Sequence, residues 1–205
     1  MHKALASVME YAREGAALRE KFFAENGETV VNVARVLALT LARGGKILFC
    51  GNGGSAADSQ HLAAEFVNRF QIERPPLPAI ALTTDSSILT AIGNDYGFEK
   101  VFVKQVQALG APGDALVGIS TSGNSKNVLE AMRAAREKGL VTVGLAGQNG
   151  DIVPLCDHAI LVPHKITALI QEIHIAVGHL LCSLTDYFLF EAVVELAPYL
   201  DGEQG

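Results

Sequence analysis

The segment Ser120-Thr121-Ser122-Gly123-Asn124-Ser125 puts four hydroxyls into six residues, directly ahead of a stretch with helical periodicity. The start of a helix carries unsatisfied N–H donors and a partial positive charge. A phosphate dianion fits such a place without any lysine. Capping the helix would need only one Ser or Asn. Four hydroxyls exceed that need, so the segment is predicted to hold the phosphate of a small phosphorylated metabolite. A second candidate is Gly51-Asn52-Gly53-Gly54-Ser55. Its glycines permit positive φ and a close approach of backbone to ligand. It meets neither the dinucleotide GxGxxG pattern nor the GK[ST] ending of a P-loop. Alone it reads equally well as a tight turn or a ligand loop.

Acid–base candidates come next. His61 and Glu65 share one face of a helix at a spacing of four. Such a pair can share a proton, hold a metal or simply meet at the surface. Gln171 and His179 point about 80° apart on a helix of 3.6 residues per turn and can face one cavity. His174 lies three residues from Gln171 and can point there too. A histidine inside the apolar run from Ile173 to Leu181 is also well explained as a core residue with its hydrogen bonds satisfied. Gly93-Asn94-Asp95 reads first as a turn in a loop.

The elements that must position these groups follow from the hydrophobic pattern. Short apolar runs at 46–50, 78–82, 115–119, 141–145 and 159–162 show no alternation and are separated by helical stretches. That pattern signals a parallel sheet covered on both faces. The predicted fold is α/β: a doubly wound, flavodoxin-like, five-stranded parallel sheet with N-terminal helices and a long C-terminal helix. Helices are predicted over 56–70, 86–92, 98–109 and 127–138. Two further helices are predicted before residue 43, divided at Gly27 and ended by Gly44-Gly45. The last helix is predicted from about Thr167 to Ala197, stopped by Pro198. The chain therefore reads as one domain over 1–205, with a helical extension at 1–43, an α/β core at 44–164 and the long helix at 165–197. In such sheets ligands sit at the carboxyl ends of the strands. Both candidate loops fall there.

Composition bounds the function. Hydrophobic residues make up 49% of the 205 and charged residues 19%, which supports a full core and excludes a mainly disordered chain. A formal net charge of −6 argues against nucleic acid as the main ligand. The longest candidate membrane span, Ile173 to Phe190, is interrupted by His174, His179 and Asp186. Met1 to Glu20 lacks the continuous apolar core of a signal peptide. Cys50, Cys156 and Cys182 form no CxxC pair, and an odd count suits no disulfide framework. A reduced, cytoplasmic protein with no membrane and no nucleic-acid partner is expected.

Together, Cys50 to Asp58, His61, Glu65, Gly93 to Phe98, Gly118 to Ser125, Ile170 to His174 and His179 resemble the phosphoheptose isomerases (sedoheptulose 7-phosphate isomerases) of the sugar isomerase (SIS) fold group. The resemblance runs from the N-terminal helices to about Phe188. It implies that Ser55, Ser120, Thr121, Ser122 and Ser125 contact phosphate and substrate. It implies that Asn52, Gly53, Gly54, Asn94 and Asp95 line the sugar chain, with Glu65 and Gln171 also among the substrate contacts. Glu65 and His179 match the acid/base pair, in an order left open. His61, Glu65, Gln171 and His179 match a zinc site, one zinc per subunit. The family further implies a homotetramer built around the terminal helices, with active sites where subunits meet. Its place is the first step of bacterial ADP- or GDP-heptose biosynthesis, as for lipopolysaccharide. Leu169 departs from the pattern, since members commonly carry arginine there; its loss would alter affinity or subunit packing. The tail after about Phe190 is longer than usual.

An alternative is a non-catalytic regulator of this fold that binds the bacterial replication initiator protein. Such regulators carry threonine for the third glycine of the GNGGS loop and lack the glutamate, so Gly54 and Glu65 favour the enzyme. A hexosamine phosphate enzyme is a further alternative, but those use different loops.

Overall fold

The computed structural model describes residues 2–200; the extreme ends of the domain expected over 1–205 lie outside the described residues. The strands β1 (Ile47–Gly51), β2 (Ala79–Ala81), β3 (Ala115–Ser120), β4 (Val141–Ala146) and β5 (His158–Leu161) form one sheet. All pairs are parallel, in the order β2-β1-β3-β4-β5. Every residue of β1 and β3 is buried, which is why their sequences run apolar without alternation. Successive side chains nonetheless part to opposite faces. Ile47 and Phe49 join one core cluster, Leu48 and Cys50 the other.

The helices are α1 (His2–Ala42), α2 (Gly54–Val67), α3 (Ser86–Tyr96), α4 (Val103–Leu109), α5 (Lys126–Glu137), α6 (Thr167–Asp186) and α7 (Val193–Leu200). The first cluster is closed by Phe22 and Leu37 of α1, Leu62 and Phe66 of α2, and Ile173 and Val177 of α6. The second is closed by Val106 of α4 with Val128 and Met132 of α5. Helix α6 is long and apolar enough to cross a membrane by length and composition, yet over half of its most apolar window is buried inside the fold. Its hydrophobicity is used between α1, α2 and the sheet.

Several boundaries differ from those expected. The break predicted at Gly27 is absent, and α1 runs unbroken for 41 residues. Gly27 keeps a negative φ and nothing lies within 4 Å of where its Cβ would sit. A helical glycine costs only about 1 kcal/mol relative to alanine, which a packed helix of this length absorbs. Helix α3 continues to Tyr96 and stops at Gly97, whose φ is +93°. Asn94 and Asp95 therefore occupy its last turn and not a loop. The helix expected over 98–109 splits into a 3₁₀ turn, Phe98–Lys100, and α4. The last helix ends at Asp186 and passes through a π-helical segment, Tyr187–Glu191, into α7, which contains Pro198 instead of stopping before it. The tail docks on α1: Leu196 is buried, and Arg43 Nη2 donates to the Tyr199 carbonyl at 2.6 Å.

His174 proves to be a core residue. It is 1% exposed, and its Nε2 donates to the Ala146 carbonyl at 3.0 Å, at the end of β4. Burial pushes its pKa down from 6.5 to about 4, partly opposed by that hydrogen bond. The unfolded chain therefore takes up this proton first as pH falls. The resulting stability is present above pH 6.5 and is lost between there and about pH 4, an effect of about 3 kcal/mol. Thermal unfolding of His174→Gln, which keeps a donor but cannot titrate, should show a shallower loss of Tm between pH 7 and 4.5 than the parent.

Candidate active site

The chain leaves β1 toward β2 on one side and returns through β3 on the other, so strand order reverses between β1 and β3. The loops at the carboxyl ends of such neighbouring strands diverge and leave a crevice. Both candidate loops end these two strands.

Ser120 closes β3 and is buried. Its Oγ donates to Ser125 Oγ at 3.0 Å and lies 3.4 Å from Ser122 Oγ. Ser122 Oγ also accepts from the Asn124 backbone N–H at 3.1 Å. Ser125 stands at the N-cap of α5 yet makes no side-chain capping bond. The hydroxyls thus gather on each other at an open helix start, and the capping explanation does not account for them. The loop is interlocked with its neighbour: Gly147 N–H donates to the Thr121 carbonyl, and Ile152 N–H to that of Gly123.

Two residues given no site role in the sequence reading brace this region. Asn127, on the first turn of α5, exchanges reciprocal amide hydrogen bonds of 2.8 and 2.9 Å with Asn52. Asn52 is therefore a brace between the loops. Its own amide is engaged, and Gly53, Gly54 and Ser55 present backbone beside it. The second such residue is Asp58, on α2, which sits 3.3 Å from the Gln171 amide nitrogen. Burial raises its carboxyl above the usual range, while Gln171 and the His61 and His179 imidazoles oppose that rise. The Gln171 amide lies directly over Gly54, where a Cβ would meet it at 2.3 to 2.7 Å. The spacing of Asp58, His61 and Glu65 at i, i+3 and i+7 was the available signal for Asp58.

Further along the same seam, α2 and α6 bring the acid–base groups together. A Cβ at Gly178 would meet Leu62 at 2.6 Å, so only glycine lets α6 lie this close. Next to these two residues, His61 Nε2 and His179 Nε2 stand 2.9 Å apart. Phe70 stacks on the His179 ring, with centroids 5.5 Å apart and planes 17° apart. Glu65 Oε1 is 3.6 Å from His61 Nε2, beyond a hydrogen bond. A cleft of about 470 Å³ opens beside His179, lined also by Arg19, Phe70, Gln71 and Glu172.

Two imidazole nitrogens aimed at each other with a carboxylate beside them are donors of the type that zinc takes. Among the described residues no three His, Cys, Asp or Glu groups already stand at metal-ligand spacing. Glu65 would have to swing inward to complete a set, and Gln171 is engaged with Asp58.

Asn94 and Asp95 are not brought to this cleft. They are exposed, and among the described residues their only side-chain hydrogen bond is to each other, at 2.8 Å. They lie roughly 12–14 Å along α3 from its start at the strand ends. Leu169 is buried against α1, its Cδ2 3.3 Å from where a Cβ on Gly15 would be. An apolar packing role thus stands where the resemblance led to an expectation of arginine.

Comparisons with known proteins identify the family. Residues 10–147 match the SIS domain family. A phosphoheptose isomerase of Solidesulfovibrio magneticus is 70% identical over 198 residues, covering 97% of either chain. A solved phosphoheptose isomerase from Neisseria gonorrhoeae is 46% identical with a TM-score of 0.84, and one from Francisella tularensis is 37% identical with a TM-score of 0.86. Each covers 89% of this chain and 98% of its own. These relatives, all named as isomerases, give the regulator alternative no support.

Proposed function

This chain belongs to the phosphoheptose isomerase family of SIS domain proteins, and from that premise we propose that it converts the ketose sedoheptulose 7-phosphate into the aldose D-glycero-D-manno-heptose 7-phosphate through an enediol. The observation that supports this reading is the His61–His179 contact with Glu65 beside it, together with the hydroxyl loop gathered at the start of α5.

The substrate phosphate binds the Ser120–Ser125 hydroxyls and the open start of α5. From Gly54 to His61 is about 10 Å along α2, close to the length of an extended open-chain seven-carbon sugar phosphate. Anchoring the far end holds C1 and C2 in place for reaction. Glu65, an acceptor only when ionised, takes a proton from C1. His179, whose Nε2 stands 2.9 Å from His61 Nε2, delivers a proton to the C2 carbonyl oxygen. The enediol now has its double bond between C1 and C2. Glu65 returns its proton to C2 while His179 recovers one from the C1 hydroxyl, leaving the aldehyde. Both residues end as they began.

His61, Glu65 and His179 would hold a zinc ion, with Gln171 as a weaker fourth donor. When bound, it would supply Lewis-acid polarisation of the substrate oxygens. We place the enzyme in the cytoplasm, in keeping with three free cysteines. We read it as a homotetramer acting at the start of heptose biosynthesis. Leu5, Val8 and Met9 on α1, Tyr96 at the end of α3 and Phe98 just after it are large exposed apolar groups, suited to subunit contacts. In such an assembly Asn94 and Asp95 reach the sugar bound by a neighbouring subunit.

The test is incubation of the purified chain with sedoheptulose 7-phosphate, with and without chelator, followed by detection of the aldose. Conversion is expected, falling with chelator and returning with zinc. No conversion under any metal condition would sink the proposed reaction.

A further inference from the structure

Arg74 and Asp186 form an ion pair of 2.9 Å whose side chains are only 1% and 4% exposed. A buried pair of this kind seldom stabilises a fold more than apolar residues of similar volume would. Its retention calls for another role, and its hydrogen bonds indicate one. Besides Asp186, Arg74 donates to the Glu65 carbonyl at 2.9 Å and the Phe66 carbonyl at 2.7 Å. It also reaches the carbonyls of Asn68 and Pro75 at 3.2 Å. The carbonyls of Glu65 and Phe66 belong to the last turn of α2, where a helix leaves its acceptors unpaired and favours a cation. One guanidinium therefore grips the backbone of the residue that carries the catalytic carboxylate.

The other end of the grip lies on α6. Asp186 is seven residues beyond His179, two turns along, so both lie on the same face about 10 Å apart. The Arg74–Asp186 bridge thus crosses the same α2–α6 seam as the His61–His179 contact. Asp186 Oδ2 has no hydrogen-bond partner, so the carboxylate is held by Arg74 through one oxygen alone. Among the described residues its side chain makes no other hydrogen bond.

We propose that Arg74 and Asp186 are positioning residues that fix α2 against α6 and so set the distance between Glu65 with His61 on one helix and His179 on the other. The inference rests on the isomerase reading for its catalytic consequence, though not for its geometric one. Lysine cannot replace arginine here, because its ammonium lacks the planar fork that reaches a carboxylate and helix carbonyls together.

Two variants test this. R74K keeps the charge, and the paired R74M/D186L replaces the buried ions with apolar side chains that should leave the chain folded. In each, kcat for sedoheptulose 7-phosphate should fall about tenfold or more while KM stays within about twofold, since a misplacement near 1 Å can cost that much and the phosphate loop is untouched. Circular dichroism melts give the folded fraction used to correct kcat. Nuclear Overhauser contacts between the His61 and His179 rings should weaken in both variants. A parent-like kcat in either folded variant, or an unchanged imidazole pair, overturns the proposal. So does a loss of activity that merely follows the folded fraction. A parent enzyme without turnover would count against the isomerase reading alone, and the imidazole spectra would still decide this one.

Discussion

Glu65→Gln should lower kcat by about a hundred- to ten-thousand-fold, the range expected for losing a positioned general base, and leave KM nearly unchanged. The amide has the shape of the carboxylate but cannot accept a proton from carbon. The phosphate end of the substrate, at the Ser120 loop, does not sense the change. The assay should pair steady-state kinetics with deuterium wash-in at C1. If Glu65 removes the C1 proton, both isomerisation and wash-in vanish together. If His179 were the base at carbon, wash-in would survive while isomerisation failed, and the two roles would be exchanged. Near-normal turnover would remove Glu65 from the mechanism altogether. Arg74 should not mask the result, since it holds the backbone carbonyl of residue 65 and not its side chain.

The sequence was most legible where function makes local rules fail. The hydroxyl run from Ser120 to Ser125 exceeds what a helix cap needs, and the structure leaves Ser125 without a capping bond. The five apolar runs became five parallel strands because buried strands need no alternation. The His61–Glu65 spacing placed both on the face of α2 that meets α6. What stayed hidden depends on tertiary contact. Nothing local marks Asn127 as the partner of Asn52, 75 residues away, or Arg74 as the partner of Asp186, 112 residues away. Gly27 and Gly93-Asn94-Asp95 look like breaks, but both helices run through them. His174 and His179 are alike in sequence context, both in one apolar run. Only the docking of α6 decides that the first turns to the end of β4 and the second to α2.

Gly123→Ala should weaken phosphate binding more than any single hydroxyl deletion in the loop. Gly123 has a φ of +69°, a region that costs other residues about 1–2 kcal/mol. Its Cβ would stand 2.6 Å from the Asn149 carbonyl oxygen and 2.8 Å from Gly150 Cα. Both are backbone atoms, so no side chain can turn away to make room. Relief requires the 120–125 loop to part from the 147–152 loop, breaking the Ile152 N–H bond to the Gly123 carbonyl, 3.0 Å long. The hydroxyls then lose their common focus at the start of α5. KM should rise about ten- to a hundredfold, which corresponds to about 1.4–2.8 kcal/mol. Inorganic phosphate, as a competitive inhibitor, separates the effects, because it senses the loop and nothing of the sugar site. Its inhibition constant should rise by the same factor as KM, with kcat at saturation much less affected. An unchanged constant for phosphate in a folded variant would place the phosphate elsewhere. It would also leave the convergence of Ser120, Ser122 and Ser125 without a ligand to explain it.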